Sequence, residues 1–291
     1  MTLYRQCIVL LSLLLIHTNH IYAFEKTSYT FSNDPIDVVI PCHKKDANAL
    51  ANVITSVKKY VNGLRRIIII SSEQYTQDAE WFDESLFPFS KESIALEICQ
   101  SPIIAQQVLK QTRTMGWIYQ QFLKLYAPLC IPDISSNVLI VDADVIFLRP
   151  LSFLQEDGAG FCTVGSEYHQ PYFQHMQRLL PDLKKLYANY SGISHHMLFQ
   201  REVVLDFFDH IRAYHHLEPW VAIAQAILLN KKDQLIHSCL SEYEMYFNFV
   251  LARTDQVKIR HLKWKNVMNN YQFKRCVAEG YDYVARHIYR E

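Results

Sequence analysis

The chain is short of glycine, with only 7 glycines in 291 residues. It contains neither a GxGxxG nor a GxxxxGK(S/T) motif, so the two common ways of binding phosphate with bare backbone amides are missing. If this protein handles phosphate, another device must replace the glycine loop.

The chain also lacks an excess of charge of either sign, because 29 lysines and arginines balance 29 aspartates and glutamates. Nucleic-acid binding draws on a basic surface, so this balance predicts no nucleic-acid partner. Half of the residues are hydrophobic, which excludes intrinsic disorder, since disordered chains combine low hydrophobicity with high net charge. The length allows one large domain or two small ones.

Long apolar runs are missing except at the N-terminus, where one covers residues 7–16 and is interrupted only by Ser12. Arg5 precedes the run and the small residue Ala23 follows it, an order that is typical of a secretory signal peptide. A membrane span needs ~20 apolar residues, so the run is too short for one. We predict a signal peptide over residues 1–23, a secretory-pathway or secreted location, and a single domain over residues 24–291. A short signal anchor and a buried N-terminal helix remain open.

Cysteine is sparse as well, and none of the cysteines after residue 23 form a CxxC pair. Without that spacing, a zinc knuckle or a thioredoxin-like site is not expected. We expect isolated buried thiols, or at most one or two disulfides.

Short apolar runs alternate with amphipathic segments along the rest of the chain. The predicted strands are the β-branched runs over residues 36–40, 66–70 and 138–141. The predicted helices are a segment capped by Asp46, residues 117–126 stopped before Pro128, and residues 201–214, 221–229 and 241–252. This alternation indicates a mainly parallel sheet covered by helices on both faces. The fold class is therefore α/β, with a helix-rich C-terminal half.

The clearest candidate site is the pair Asp142 and Asp144, directly after the third predicted strand. Side chains at i and i+2 share a face of a strand, and two such carboxylates repel each other unless a cation or a proton lies between them. Hard oxygen ligands suit Mg²⁺ or Mn²⁺. We interpret the pair as a metal site that could bind a diphosphate; the alternative is that both acids only start a turn.

Two further segments offer groups for proton transfer. His195 and His196 are adjacent, and neighbouring strand residues face opposite sides, so one of them is expected to be structural; His196 is the predicted catalytic one. Glu242 and Glu244 are the other predicted catalytic residues. The segment from Ser241 to Glu244 also has the form of a capping box, in which Glu244 would only bond the Ser241 amide.

Three more groups could line a ligand site. Lys44, in the loop after the first strand, could bind phosphate. Arg113, Gln120 and Lys124 could contact a donor or an acceptor, and a solvated helix face is the alternative for them. Near the C-terminus, His287 is preferred over His261 as a histidine that completes the metal shell.

The order of these segments resembles a GT-A glycosyltransferase: IDVVIPCHKKD, IIIISSE, GWIYQQFLKL, VLIVDADVIFLRP and then a C-terminal histidine. Within that fold, GWIYQQFLKL, ISHHMLF and SEYEMYFNF are similar to a little-characterised, mostly bacterial family of glycosyltransferase-like proteins, over residues 34–289. The resemblance implies a hexosyltransferase-like enzyme with Mn²⁺ or Mg²⁺ on Asp142, Asp144 and His287. It implies sugar transfer from a nucleotide-diphosphate sugar to a hydroxyl of a glycan, glycolipid or protein, with peripheral membrane contact left open.

The residues expected to bind the nucleotide-sugar donor surround this metal site. They are Pro41, His43, Lys44, Arg113, Gln120, Lys124 and Ala143.

Two other interpretations remain open. A haloacid-dehalogenase-like phosphatase would use Asp142 as nucleophile and Asp144 as acid/base, but its later (G/S)DxxxD motif is missing. A secreted, non-catalytic carbohydrate-binding protein on a degenerate GT-A fold is the second, and the intact Asp-x-Asp argues against it. The signal peptide adds a constraint, since bacterial periplasm has no supply of nucleotide sugar, whereas a eukaryotic Golgi or ER lumen does.

Overall fold

The computed structural model describes residues 24–230, 234–235 and 238–286. The predicted signal peptide over residues 1–23 and the predicted metal ligand His287 lie outside the described residues. Within the described ranges, no helix has the length and apolar character that crossing a lipid bilayer requires.

The ten strands of the described residues are three to eight residues long. In chain order the strands are β1 (Ile36–Pro41), β2 (Leu64–Ser71), β3 (Glu80–Asp83), β4 (Asn137–Val141), β5 (Val145–Phe147), β6 (Phe161–Thr163), β7 (His196–Gln200), β8 (Lys258–Arg260), β9 (Trp264–Val267) and β10 (Tyr283–Arg286). β1, β2 and β4 confirm the three strands predicted from the apolar runs.

The central sheet has five strands in the order β3-β2-β1-β4-β7. Neighbours from β3 to β4 are parallel, and β7 is antiparallel to β4. Two smaller sheets have the orders β5-β10-β9 and β6-β8. The protein is therefore an α/β protein with a mixed, mostly parallel central sheet, as the sequence predicted.

Helices fill most of the connections between strands. The α-helices of the described residues are α1 (Leu50–Tyr60), α2 (Lys91–Cys99), α3 (Pro102–Leu109), α4 (Thr112–Cys130), α5 (Gln170–Leu179), α6 (Arg201–His215), α7 (Pro219–Gln225), α8 (Glu242–Arg253) and α9 (Asn270–Ala278). Short 3-10 helices cover Lys44–Ala49 and Glu84–Leu86. The helices predicted over residues 201–214 and 241–252 are confirmed by α6 and α8.

Both faces of the central sheet are buried, because alternate side chains of each strand enter different apolar clusters. Val39 and Ile140 belong to the cluster that packs against α2 to α8. Val38 and Leu139 belong to the cluster on the opposite face, where α1, α9, β5 and β10 pack. Burial on both faces explains why these strands are continuous apolar runs rather than alternating ones.

Asp46 does not cap the first α-helix, so that prediction is wrong. Lys44–Ala49 forms a 3-10 helix that runs directly into α1, and Leu50 N–H donates to Ala47 O across the junction. The preceding 3-10 turn therefore supplies a carbonyl acceptor for the backbone N–H at the start of α1. The capping side chain is instead His43, whose Nδ1 accepts from Lys45 N–H at 3.3 Å at the start of the 3-10 helix.

The predicted stop before Pro128 is also wrong, because α4 continues through Pro128 to Cys130. Proline lacks a backbone N–H, but in the last turn this removes only one hydrogen bond before the helix ends. The helix predicted over residues 221–229 forms earlier, as α7, with Pro219 in its first turn, where the fixed φ of proline favours a helix start.

The cysteines that the structure describes are all free thiols. Cys42, Cys162, Cys239 and Cys276 are buried, and Cys99 and Cys130 are partly buried. Of the two alternatives that the sequence left open, isolated thiols are confirmed.

One titratable group lies deep in the helical layer. His175 on α5 is fully buried, and its Nε2 lies 3.0 Å from Ile223 O. A carbonyl can only accept, so Nε2 carries the proton. Burial lowers the pKa of His175 to about 4, because a charged imidazolium loses its hydration there.

We expect acid to destabilise the protein through this histidine. Unfolded His175 binds a proton as the pH falls below its ordinary pKa of 6.5, while the folded residue stays neutral until about 4. The free energy of unfolding should therefore fall by about 2 kcal/mol through this group between about pH 7.5 and pH 5. His175→Gln keeps a donor for Ile223 O and removes the titration, so urea unfolding at the two pH values should show a loss smaller by that amount. An unchanged pH dependence in the variant would contradict the buried, neutral state of His175.

Candidate functional site

The candidate site lies where β1 and β4 end, at the middle of the central sheet. β1 connects through α1 to β2 on one side, whereas β4 pairs with the other side of β1. The strand order reverses at this point, and open α/β sheets bind ligands in the crevice beyond such a reversal. Pro41 ends β1 and Asp142 directly follows β4. Gln120 Nε2 donates to Pro41 O at 3.4 Å, so α4 borders this crevice.

Asp142, Ala143 and Asp144 form a tight turn between β4 and β5 instead of continuing the strand. Asp142 N–H donates to His195 O at 3.0 Å, and Val145 N–H donates to Asp142 O at 3.1 Å. Asp144 O accepts from Arg286 N–H at 2.8 Å. The turn is thus fixed on one side by the segment that enters β7 and on the other by β10.

His195 joins the two aspartates at this turn. One ligand atom from each of Asp142, Asp144 and His195 lies within 4.8 Å of the others. His195 Nδ1 donates to Asp142 Oδ2 at 3.2 Å. Two carboxylates and an imidazole are a donor set that fits Mn²⁺ better than Mg²⁺, because Mg²⁺ prefers oxygen ligands alone.

The backbone explains why His195, and not His196, meets the aspartates. β7 begins at His196, which pairs with Val141, so the preceding residue lies beside Asp142. His195 itself has a φ of +61°, a left-handed conformation that is uncommon for residues other than glycine. The tandem histidines were visible in the sequence, but the register that selects between them depends on the pairing of β4 with β7.

His196, the predicted catalytic histidine, lies in the core. Its Nε2 is 3.2 Å from Thr163 Oγ1, and its ring packs edge-on against Tyr283 and Phe147. Burial lowers the pKa of His196 to about 3, so this ring is neutral in the folded protein. Its surroundings are those of a structural residue, because its direct contacts are with Thr163 and with aromatic rings.

Lys124 is the cation of the site. Its Nζ lies 2.5 Å from Asp142 Oδ1, 2.8 Å from Glu242 Oε1 and 4.5 Å from the ring centre of Tyr243. The side chain is only 4% exposed, and lysine is almost never buried without a partner. Lys124 was predicted to contact a donor or an acceptor; in the structure its ammonium joins two carboxylates.

The electrostatics of the site follow from this ammonium. Burial raises the pKa of Asp142, but Lys124 and His195 outweigh burial and hold that pKa well below its ordinary range. For Lys124, burial lowers the pKa, but the charges of Asp142 and Glu242 outweigh burial and raise that pKa above its ordinary value. Both groups are therefore ionised at neutral pH.

Glu242 begins α8 behind the N-cap Ser241, and it is 1% exposed. Its pKa is raised by burial and lowered in part by Lys124. Among the described residues, Glu242 Oε2 has no hydrogen-bond partner. The next residue, Tyr243, donates its hydroxyl to Asp142 Oδ1 at 3.1 Å. Two consecutive residues of α8 therefore belong to the same cluster as Asp142 and Lys124.

Glu244 has a different environment from Glu242. Its carboxylate accepts from Ser191 Oγ at 2.6 Å and from Asn248 Nδ2 at 3.0 Å. Ser241 Oγ accepts from Glu244 N–H at 3.2 Å, which is one half of the predicted capping box. Glu244 thus ties α8 to the segment that leads to His195, and the contacts of its carboxylate do not include the aspartates.

The remaining predicted donor-binding residues are spread around the crevice. His43 and Lys44 lie in the exposed turn after β1, and Ala143 is buried within the Asp142–Asp144 turn. Arg113 is exposed in the first turn of α4, about 16 Å along the helix axis from Lys124 at 1.5 Å per residue. The structure therefore gathers Gln120, Lys124 and Ala143 at the site, whereas Arg113 lies at the far end of the same helix.

Comparison with known proteins adds a family to this geometry. A family model described as "Family of unknown function (DUF6492)" matches residues 33–279, which extends from just before β1 to the end of α9. A search among curated proteins found no match.

The segment that carries His195 is fixed by a glycine that has no room for a side chain. A Cβ on Gly192 would lie 2.7 Å from both Phe247 Cβ and Tyr243 O. We expect Gly192→Ala to lower the free energy of unfolding by about 1–3 kcal/mol, as overpacked sites do. It should also weaken binding of a divalent cation, because the segment must move away from α8.

Gly116→Ala is the matched control for this prediction. No atom lies within 4 Å of a Cβ built there, and alanine in a helix interior is better than glycine by about 1 kcal/mol. Urea unfolding should therefore show a neutral or stabilising effect for Gly116→Ala. Equal stability of the two alanine variants would contradict the close packing of Gly192.

Proposed function

The chain belongs to the DUF6492 family, whose function is unknown, and we propose from the site that it is a divalent-cation-dependent glycosyltransferase. It would transfer a sugar from a nucleotide-diphosphate sugar to an acceptor hydroxyl, on an α/β sheet of the GT-A type. The observation that carries this proposal is the convergence of Asp142, Asp144 and His195 at the point where the strand order reverses.

The donor set fits a cation that handles a diphosphate. Asp142, Asp144 and His195 would hold Mn²⁺ or, with less preference, Mg²⁺. The bound cation would supply positive charge against the leaving diphosphate. This positive charge matters in a chain with 7 glycines and no glycine-rich phosphate loop, because such a chain has few glycine backbone amides that could bind the phosphates.

The protein groups around the cation site have separate tasks in this proposal. The turn after β1, with His43 and Lys44, lies at the same edge of the sheet and would contact the nucleotide. Glu242 Oε2 would accept the proton of the acceptor hydroxyl while that oxygen bonds to the sugar and the sugar–diphosphate bond breaks. Among the described residues that oxygen has no hydrogen-bond partner, so its capacity to accept a proton is unused.

The contacts of Asp142 favour a transferase over a haloacid-dehalogenase-like phosphatase. A phosphatase of that class would need an oxygen of Asp142 to attack phosphorus. Here Oδ1 receives both Lys124 and Tyr243, and Oδ2 receives His195. An aspartate with these three partners is better suited to holding a cation in place than to leaving its position as a nucleophile.

Nucleotide binding tests the proposal most directly. Titration of UDP into the protein should give measurable heat with Mn²⁺ and much weaker binding without it. A panel of nucleotide sugars with Mn²⁺ should then reveal one that is hydrolysed or transferred. Absence of UDP binding at millimolar concentration would count against the transferase, release of phosphate from simple esters would favour the phosphatase, and binding without turnover would favour a carbohydrate-binding protein.

Asp144→Asn is the sharpest variant for the cation site. Asp144 contributes a carboxylate to the site but is not among the partners of Lys124 in the ion pairs, so its loss does not strand the buried ammonium. We expect Mn²⁺ affinity to fall at least about tenfold, since a charged ligand is lost, with little change in stability. Asp209→Asn, whose side chain is 72% exposed on α6, is the control and should leave Mn²⁺ affinity unchanged. Wild-type affinity in Asp144→Asn would exclude this aspartate as a ligand.

A further inference from the structure

Lys124 occupies an unusual position for a lysine. It projects from the middle of α4, is 4% exposed, and bridges Asp142 after β4 and Glu242 at the start of α8. Its ammonium also faces the ring of Tyr243, whose hydroxyl donates to the same Asp142 oxygen. The ammonium therefore lies on the inner side of the candidate cation site and shares one ligand with it.

The charges of the site can be counted from these contacts. Three carboxylates, from Asp142, Asp144 and Glu242, face one ammonium, so the site has two net negative charges when His195 is neutral. Without the ammonium the site would have three net negative charges and would attract a divalent cation more strongly. The ammonium therefore lowers the attraction for a free cation, and the oxygens of a diphosphate that arrives with the cation would make up for this loss as additional ligands.

The distribution of contacts on Asp142 leads to the same conclusion. Oδ1 accepts from Lys124 and Tyr243, and Oδ2 accepts from His195, so Oδ2 has fewer of these partners and more capacity for a cation. Without the ammonium, Oδ1 would keep the Tyr243 hydroxyl and would also have capacity for a cation. The ammonium thus limits how strongly Asp142 can hold a divalent ion.

We propose that Lys124 is a resident counter-ion that weakens binding of the free divalent cation, so that the cation and the diphosphate of the donor bind together. Lys124 is a positioning residue in this scheme, because it acts through Asp142 and Glu242. The inference rests on the proposed function and adds cooperative binding to it. The cation is held firmly only in the ternary complex of protein, cation and donor. By reciprocity, Mn²⁺ must raise the affinity for UDP by the same factor as UDP raises that for Mn²⁺.

Titration of MnCl₂ into the protein, with and without UDP, tests this inference. In the wild type, UDP should raise Mn²⁺ affinity at least about tenfold. In Lys124→Met, Mn²⁺ alone should bind at least about tenfold more tightly, because one positive charge near the ion is removed. The enhancement by UDP should shrink in that variant.

Arg253→Met is the control for loss of a partly buried cation in general. Arg253 Nε pairs with Asp206 at 2.8 Å, and this side chain is 12% exposed. Its removal should lower stability but leave Mn²⁺ affinity unchanged, because Arg253 has no part in the contacts of Asp142, Asp144 or Glu242. A merely structural role for Lys124 predicts the same behaviour in Lys124→Met.

Two further variants keep the test decisive if Lys124→Met does not fold. Glu242→Gln removes one negative charge, so Mn²⁺ affinity should fall at least about tenfold. Lys124→Met combined with Glu242→Gln restores the net charge, and its Mn²⁺ affinity should return to within about threefold of the wild type. This pattern cannot come from misfolding alone.

The results separate this inference from the proposed function. If the wild type binds Mn²⁺ and UDP, but affinity is unchanged or weaker in Lys124→Met and unchanged in Glu242→Gln, the counter-ion role is overturned and the transferase proposal stands. If the wild type binds neither Mn²⁺ nor UDP, the proposed function itself fails.

Discussion

The rest of the site depends on the ion pairs that the Lys124 ammonium makes with Asp142 and Glu242. Glu242 is a buried carboxylate and Asp142 a partly buried one, and two anions this close repel each other unless a cation lies between them. Lys124 lies within 2.8 Å of both, and so it joins α4, the end of β4 and the start of α8 in one cluster. Removing one partner of such a buried pair typically costs about 3–5 kcal/mol, so the position of these three elements is linked to a single side chain.

The sheet and the candidate acids could largely be predicted from the sequence. Apolar runs sufficed for β1, β2 and β4, because a strand buried on both faces needs no alternation. Asp142 and Asp144 were identified from their place after such a run. The Ser241 N-cap and the helix that follows it could also be predicted from neighbouring residues, since capping depends on residues only three apart.

The parts that the sequence did not yield depend on contacts between distant residues. His195 reaches Asp142 across 53 positions, through the antiparallel pairing of β7 and a left-handed backbone angle that no local rule assigns to histidine. The partner of Glu244 is Ser191, also 53 positions away, whereas the sequence suggested a partner at Ser241. Lys124 was predicted to contact a donor or an acceptor, with a solvated helix face as the alternative, because helical periodicity does not reveal which polar side chain meets a carboxylate in the interior.

The attachment of the Asp142–Asp144 turn to β10 has a consequence for biosynthesis. Asp144 O is bonded to Arg286 N–H, and β5 pairs with β10 over residues 283–285, beyond the family match that ends at residue 279. Contacts of such long sequence separation form late in folding. A ribosome therefore releases both aspartates long before the strand that fixes their turn exists. A nascent chain cut short before Tyr283 would carry every acidic residue of the site and still lack the strand that holds the turn, so the turn is fixed only after β10 has been made.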